Sequence, residues 1–446
     1  MERMKVIGQT AREILAPVMV EFVKWVLREA ERLGVERLYF LARDGWPMYQ
    51  TARILSKGRH PYMECRYLEC SRYSLRLPAF SLMGKSCLDQ IFLGGIDMTL
   101  EKILKRAGLT PWEIQKAAEE RGLSDRILQP LSYREIQELK SVFSRSPLFL
   151  QMVEDHSRKA LPKALGYLRQ EGLLEPVKWA VVDSGWTGSM QQTLGLLLSS
   201  MGWKGTPLGF YFGMYHQPPG TLPCQYREYY FSVWGNIRRK VYFSNSLFEC
   251  IFRSPAGMTL GYQKKPDGRF APVYRPGACP NEKELDLVLE EVTRQALEEA
   301  KRLDRSIRAW RILPPRCWEK TLGRFMGNPT PRQAEAFGTW RFTDDVLEND
   351  HQVAAPLLSG RELTQNHLLP KLLRMTGLIR KQVRESAWIE GSAVRRGKWV
   401  CWHLFWIRLY KYVLYGSGKL RKNTSYRRGH GHPVRLDESG KERQRP

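Results

Sequence analysis

Two apolar strands, each followed by a polar turn and the start of a helix, and a long helical stretch between them predict an α/β protein. The expected class is a Rossmann-like, mostly parallel sheet with a large helical insertion and a mainly helical C-terminal region. The strands are 38–41 and 179–182. Strands that alternate with helical patterns imply crossover connections and hence a parallel sheet.

The elements follow in order. Residues 8–33 form an amphipathic helix, with Ile14, Val18, Phe22 and Val26 at helical spacing. Residues 36–72 read as strand, helix, strand. Residues 85–175 are helical in pattern, broken at Gly94-Gly95, Pro130 and Pro147. Residues 178–214 return to strand, helix, strand. Residues 222–275 are aromatic and β-prone, with turns at 266–268 and 276–277. A charged helix covers 281–311, and 312–390 mixes helix and loop. The organisation expected is an α/β domain from 1–80 and 176–275, a helical insertion at 81–175, and a mainly helical region at 276–396. An aromatic, basic amphipathic segment follows at 397–423, then a disordered basic tail at 424–446.

The segment 180–198, AVVDSGWTGSMQQTLGLLL, has the makings of a phosphate cradle. Asp183 ends the strand, placed to hold sugar hydroxyls or a metal such as Mg²⁺. Gly185 and Gly188 allow a tight turn and close approach of backbone to a ligand. Ser184, Thr187 and Ser189 offer hydroxyls, and a helix starting near Ser189 points free N–H groups at the same spot. Trp186 either stacks on a sugar or base or plugs the core. Gln191 is placed to bind sugar hydroxyls. The alternative reading is an ordinary junction with a capping serine.

The turn at 42–47 is of the same kind. Arg43 supplies a bidentate anion ligand. Asp44 orients Arg43, binds a metal or caps the helix. Gly45 makes the turn, and Pro47 sits in the first helical turn, where proline is tolerated. Ser71-Arg72 ends the next strand and puts a cation over the crevice or into solvent. Glu249 lies in the apolar run SLFECIF. A carboxylate there needs a partner or a function, because burying it unpaired is costly. His156 and His216 show no partner in the sequence and read as structural.

The segments 39–50, 67–78, 181–191 and 245–262 resemble an uncharacterised bacterial family found with cell-surface polysaccharide genes. In that family a similar region often follows a HAD-type hydrolase domain. The resemblance implies a role in polysaccharide assembly, next to glycosyltransferase machinery. It places Asp183, Asp44 and Glu249 as catalytic candidates. A HAD nucleophile loop needs Asp-x-Asp-x-Thr, and here Gly185 stands in place of the second Asp, so the hydrolase label does not carry over on its residues. Asp183, Thr187 and Gly188 also resemble the ribose-phosphate loop of type I phosphoribosyltransferases, and 42–47 resembles their pyrophosphate loop. That likeness implies a phosphorylated or nucleotide-linked sugar as ligand and a transferase as the activity. A HAD-like phosphatase and a non-catalytic, membrane-associated scaffold for glycosyltransferases stay open beside it.

The chain has 446 residues and a formal net charge of +25, which calls for an anionic partner. The first residues carry charges where a secretory signal needs an apolar run, and the eight cysteines have no metal-ligand spacing. A cytoplasmic protein with reduced thiols is expected. Residues 98–123 imitate a helix-turn-helix, but Glu113, Glu119 and Glu120 on its second helix weigh against nucleic acid. Residues 397–432 interleave tryptophan and tyrosine with arginine and lysine. They suit a helix on an anionic membrane surface, peripheral to the inner face, or else a core helix or dimer contact.

Overall fold

The computed structural model describes residues 2–57, 63–95, 98–277, 279–305, 312–342, 352–375 and 386–429. Five strands form the central sheet: β1 Arg37–Leu41, β2 Glu64–Leu68, β3 Trp179–Asp183, β4 Leu208–Gly213 and β5 Tyr226–Phe231. All neighbours are parallel, in the order β2-β1-β3-β4-β5. The protein is therefore α/β and Rossmann-like. Every residue of β1 and β3 is buried. Strands covered on both faces have little need of polar side chains, which is why these two read as nearly unbroken apolar runs.

Alternate residues point to opposite faces. Leu38, Phe40, Ala180, Val182, Phe210 and Phe212 enter one core. Tyr39, Leu41, Leu68 and Val181 enter another. Helix Gly45–Ser56 packs Met48, Ala52 and Leu55 on the first face, and helix Ser189–Ser199 packs Leu194, Leu197 and Leu198 on the second. From β1 the chain steps outward to β2, and from β3 it steps the other way to β4. Right-handed crossovers then require the two helices to lie on opposite faces. Strand order reverses between β1 and β3, and a crevice opens at their carboxyl ends.

The rest of the chain braces this sheet. Residues 2–32 are helical, with a π turn at Ala11–Leu15 just before Pro17, whose nitrogen has no proton to donate. This helix shares the first core with Leu285, Val292, Phe325, Phe337 and Trp340 from the C-terminal region. The insertion has a core of its own, including Ile91, Phe92, Ile103, Phe143 and Phe149. Its helix-turn-helix imitation forms helices Leu100–Lys105 and Pro111–Glu119, whose Ile114, Ala117 and Ala118 are buried in that core. Glu113 caps this second helix through Thr110 and lies 2.9 Å from His156 Nε2, a partner the sequence did not reveal.

The expectation of β structure throughout 222–275 is corrected. Between β5 and the hairpin of β6 Thr259–Lys264 and β7 Phe270–Tyr274 stand helices Ile237–Val241 and Asn245–Ile251. The Ser244 hydroxyl accepts the Leu247 N–H at 3.3 Å and starts the second helix, which turns Leu247, Phe248, Cys250 and Ile251 inward. The charged helix runs Glu282–Arg305, and 306–311 lie outside the described residues. The last helix runs Val400–Gly429, past the start of the tail expected from 424, and 430–446 lie outside the described residues. Among the described residues, no helix is long and apolar enough to cross a membrane.

Candidate functional site

Asp44 and Asp183 meet at the crevice between β1 and β3. Ser184 joins them. Its backbone N–H donates to Asp183 Oδ1 at 2.9 Å, and its hydroxyl donates to Asp44 Oδ2. Asp183 and Ser184 are buried at 9 % and 1 % exposure. Burial, then the neighbouring Asp44 charge, hold the Asp183 carboxyl well above the usual range, with Glu249 adding to the effect. Burial likewise raises Asp44, against the pull of the Ser184 bond and of Arg43, Arg72 and Arg253. Two carboxylates placed so close resist ionising together, so the pair retains a proton more readily than isolated acids.

Three arginines surround the pair. Arg43 follows β1, Arg72 opens helix Arg72–Met83 and is exposed, and Arg253 is buried just past helix Asn245–Ile251. The strand expected to carry Arg72 ends at Leu68. Ser71 instead caps the helix, accepting the Ser74 N–H at 3.0 Å. Glu249 approaches from helix Asn245–Ile251 and accepts the Trp186 indole N–H at 2.7 Å. Cys70 also lies near Asp183, but burial drives its thiol up, which leaves it protonated and a poor nucleophile.

The cradle after β3 is built on glycine. Gly188 adopts φ +66° and takes the cap position of helix Ser189–Ser199, so the helix begins on glycine and has no capping serine. A Cβ at Gly185 (φ +142°) would stand 2.1 Å from the Gly213 carbonyl oxygen, and one at Gly188 would stand 2.4 Å from the Tyr226 ring. Thr187 is exposed, and its hydroxyl donates to Ser189 Oγ at 3.3 Å. From the other side Arg76 Nη2 donates to Ser189 Oγ at 3.1 Å. Arg76 is 9 % exposed, and burial together with Arg72 and Arg106 lowers its pKa to about 9. A buried cation beside a helix N-terminus and two hydroxyls is the chemistry that suits an anion.

Several expected roles change. Asp44 makes no capping bond to helix Gly45–Ser56. Gly45 serves the close approach of that helix to β1, since a Cβ would come within 2.9 Å of the Phe40 backbone. Trp186 is the core plug of its two readings. It is 8 % exposed among Tyr215, Phe231, Phe243 and Phe248 and presents no face to a sugar. Gln191 is 2 % exposed, its amide donating to Pro207 O at 2.9 Å and to Gln225 O at 3.2 Å. Its carbonyl accepts from Tyr211 Oη at 2.8 Å, so it ties β4 and β5 to the helix instead of reaching a ligand. Arg76 and Arg253 were missed. Both fall inside segments that carry the resemblance, 67–78 and 245–262, but their burial is set by tertiary packing and leaves no local mark in the sequence.

Among the described residues, no group of three or more His, Cys, Asp or Glu is arranged to hold a metal ion. Two open cavities, of about 540 and 390 Å³, lie away from the crevice. Fold and site together define a doubly wound α/β protein with an acid pair and a cluster of arginines at its switch point. No protein-family model matches the chain, and no curated protein resembles it closely enough to count as a match.

Proposed function

We propose that the switch-point crevice binds a phosphorylated or nucleotide-linked sugar and that the protein is a sugar-phosphate transferase of bacterial surface-polysaccharide assembly. The carrying observation is the Ser184-bridged pair Asp44 and Asp183, ringed by Arg43, Arg72 and Arg253 and set beside the Arg76–Ser189 seat. Parallel α/β sheets bind ligands at this place. The resemblance of four segments to a polysaccharide-associated family supports the biological setting. In this reading the phosphate sits at Thr187, Ser189 and Arg76, and Asp183 accepts bonds from sugar hydroxyls. The bond broken joins the sugar carbon to its phosphate oxygen. The electron pair leaves with the phosphate, whose charge the arginines offset. The acceptor hydroxyl forms the new bond and gives its proton to the acid pair, one member of which is ionised. Mg²⁺ would be held mainly by substrate oxygens, with Asp183 in its ionised form as the protein ligand, since this ion commonly takes only one or two carboxylates. When bound it would help neutralise the leaving phosphate.

One observation favours a second reading. The second acid that a HAD nucleophile loop needs is missing at Gly185, but Asp44 reaches the same Ser184 from β1. Asp183 would then be a phosphatase nucleophile with Asp44 as acid/base. Calorimetric titration with ribose 5-phosphate, phosphoribosyl pyrophosphate and nucleotide-sugars, with and without Mg²⁺, tests the first reading. Binding that disappears in Asp183→Ala supports it, and no binding by any of these refutes it. Beryllofluoride labelling of Asp183 would favour the phosphatase.

A further inference from the structure

The last helix carries two faces. Leu404 and Ile407 are buried with Val394, and Tyr415 stacks on Tyr215 at 5.3 Å. About a third of a turn away, Trp402, Phe405, Tyr412 and Val413 are 46, 57, 40 and 38 % exposed. Their spacing keeps them on one stripe of a 3.6-residue helix. Helix Leu368–Met375 packs against this helix and adds exposed Leu369 and Leu372. Contiguous large apolar groups on a surface mark an interaction site.

The stripe ends beside a cationic cavity of about 540 Å³. Arg238, Arg239, Lys320 and Arg324 line it, against the single carboxylate of Glu319. Arg238, Lys320 and Arg324 are exposed. Arg408, from the stripe's own helix, lies over the cavity residue Tyr242 at 4.8 Å and donates to Gly327 O at 2.8 Å. Aromatic rings and a basic hollow therefore share one edge of the molecule.

We infer that this edge docks on the surface of a bilayer containing anionic lipid, with the stripe at headgroup depth and a lipid phosphate in the cavity. The pairing of apolar stripe and basic flank is what such a surface requires. A second copy of this chain would bring together two basic surfaces of a protein whose net charge is +25, which an anionic surface avoids. The inference is independent of the ligand proposed for the crevice.

The test is sedimentation of the full chain with large vesicles of phosphatidylcholine alone and of phosphatidylcholine mixed with phosphatidylglycerol, whose anionic headgroups supply the surface potential that attracts basic residues. Binding to the anionic vesicles alone, weakened by salt, is expected. Phe405→Ser with Val413→Ser should abolish it while the melting temperature holds, since both side chains are exposed. Lys320→Glu or Arg324→Glu should each weaken it at least roughly fivefold, the effect of about one surface charge. The inference is overturned by failure of the intact chain to sediment with anionic vesicles, or by undiminished binding of the stripe variant. It is equally overturned if the stripe variant turns a dimer into a monomer in light scattering, or if duplex DNA and not vesicles loses affinity in the charge variants.

Discussion

Trp186 donates its indole N–H to Glu249 at 2.7 Å, tying the loop after β3 to helix Asn245–Ile251. Two segments far apart in sequence thus hold one wall of the crevice. Trp186→Phe keeps the ring packing and removes the donor. A hydrogen bond to a charged group contributes about 1.5–3 kcal/mol, and the half-buried Glu249 places this one near the lower value. Thermal denaturation should show a drop of that size, and Glu249→Gln should show a smaller one.

Asp183→Asn should stabilise the ligand-free protein at neutral pH. Both acids of the pair are raised, so their ionisation costs the folded state more than the unfolded one. The unfolded chain gives up these protons near pH 4. Stability attached to the pair is therefore complete below that value and declines as pH rises. The variant's melting temperature should exceed that of the wild type by a few degrees at pH 7 and match it near pH 4, with sugar-phosphate binding lost. A lower melting temperature at pH 7 would contradict the like-charge account.

Arg76→Met tests the proposed anion seat. The guanidinium is buried and pushed down to about 9 by burial and by its arginine neighbours, so it carries an unfavourable charge in the empty protein. Replacement by an apolar chain of similar length should raise the melting temperature. It should also weaken phosphate binding at least roughly tenfold, about 1.4 kcal/mol. Isothermal titration of wild type and variant separates the two effects.

The His367 and His403 rings share one hydrogen bond, Nε2 to Nδ1, at 3.0 Å. Arg396 Nη1 donates to His403 Nε2 at 3.3 Å, so His403 Nδ1–H must be the donor and His367 Nε2 the acceptor, which leaves both rings neutral. Burial lowers His367 to about 4, and burial with Arg396 lowers His403. A base depressed in the folded state costs stability once the unfolded chain takes up its proton. Melting temperature should therefore fall as pH drops from about 6.5 towards 4. His367→Gln should flatten that part of the profile.

Lys24 is 2 % exposed between Glu21 at 2.8 Å and Glu299 at 2.7 Å. Lys24→Met leaves two carboxylates without that cation and should destabilise the fold by about 3–5 kcal/mol, measurable by urea unfolding. A triple change to apolar residues should recover most of the loss.

The strands β1 and β3 and their turns were legible because burial on both faces writes a simple apolar run into the sequence. The acids were legible because they end those runs. What Gln191 and Trp186 touch was not. Their partners, Pro207, Gln225 and Glu249, lie on other elements, and no local pattern encodes those meetings. Arg76 was missed for a related reason. It stands one helical turn after exposed Arg72, and only tertiary packing turns one outward and the other in. The helices within 222–275 were hidden by aromatic residues whose β-propensity reflects packing more than backbone preference.

Arg3 donates to the carbonyl of Ala336, 333 positions later, and pairs with Glu284 at 2.9 Å. The apolar side of the 2–32 helix is thus completed by segments that leave the ribosome long after it. Until then that side has no native cover, and exposed apolar surface of this kind is what makes partly folded chains prone to misassembly. The sheet's central strands can pair earlier, but closure of the first core waits for the chain to return.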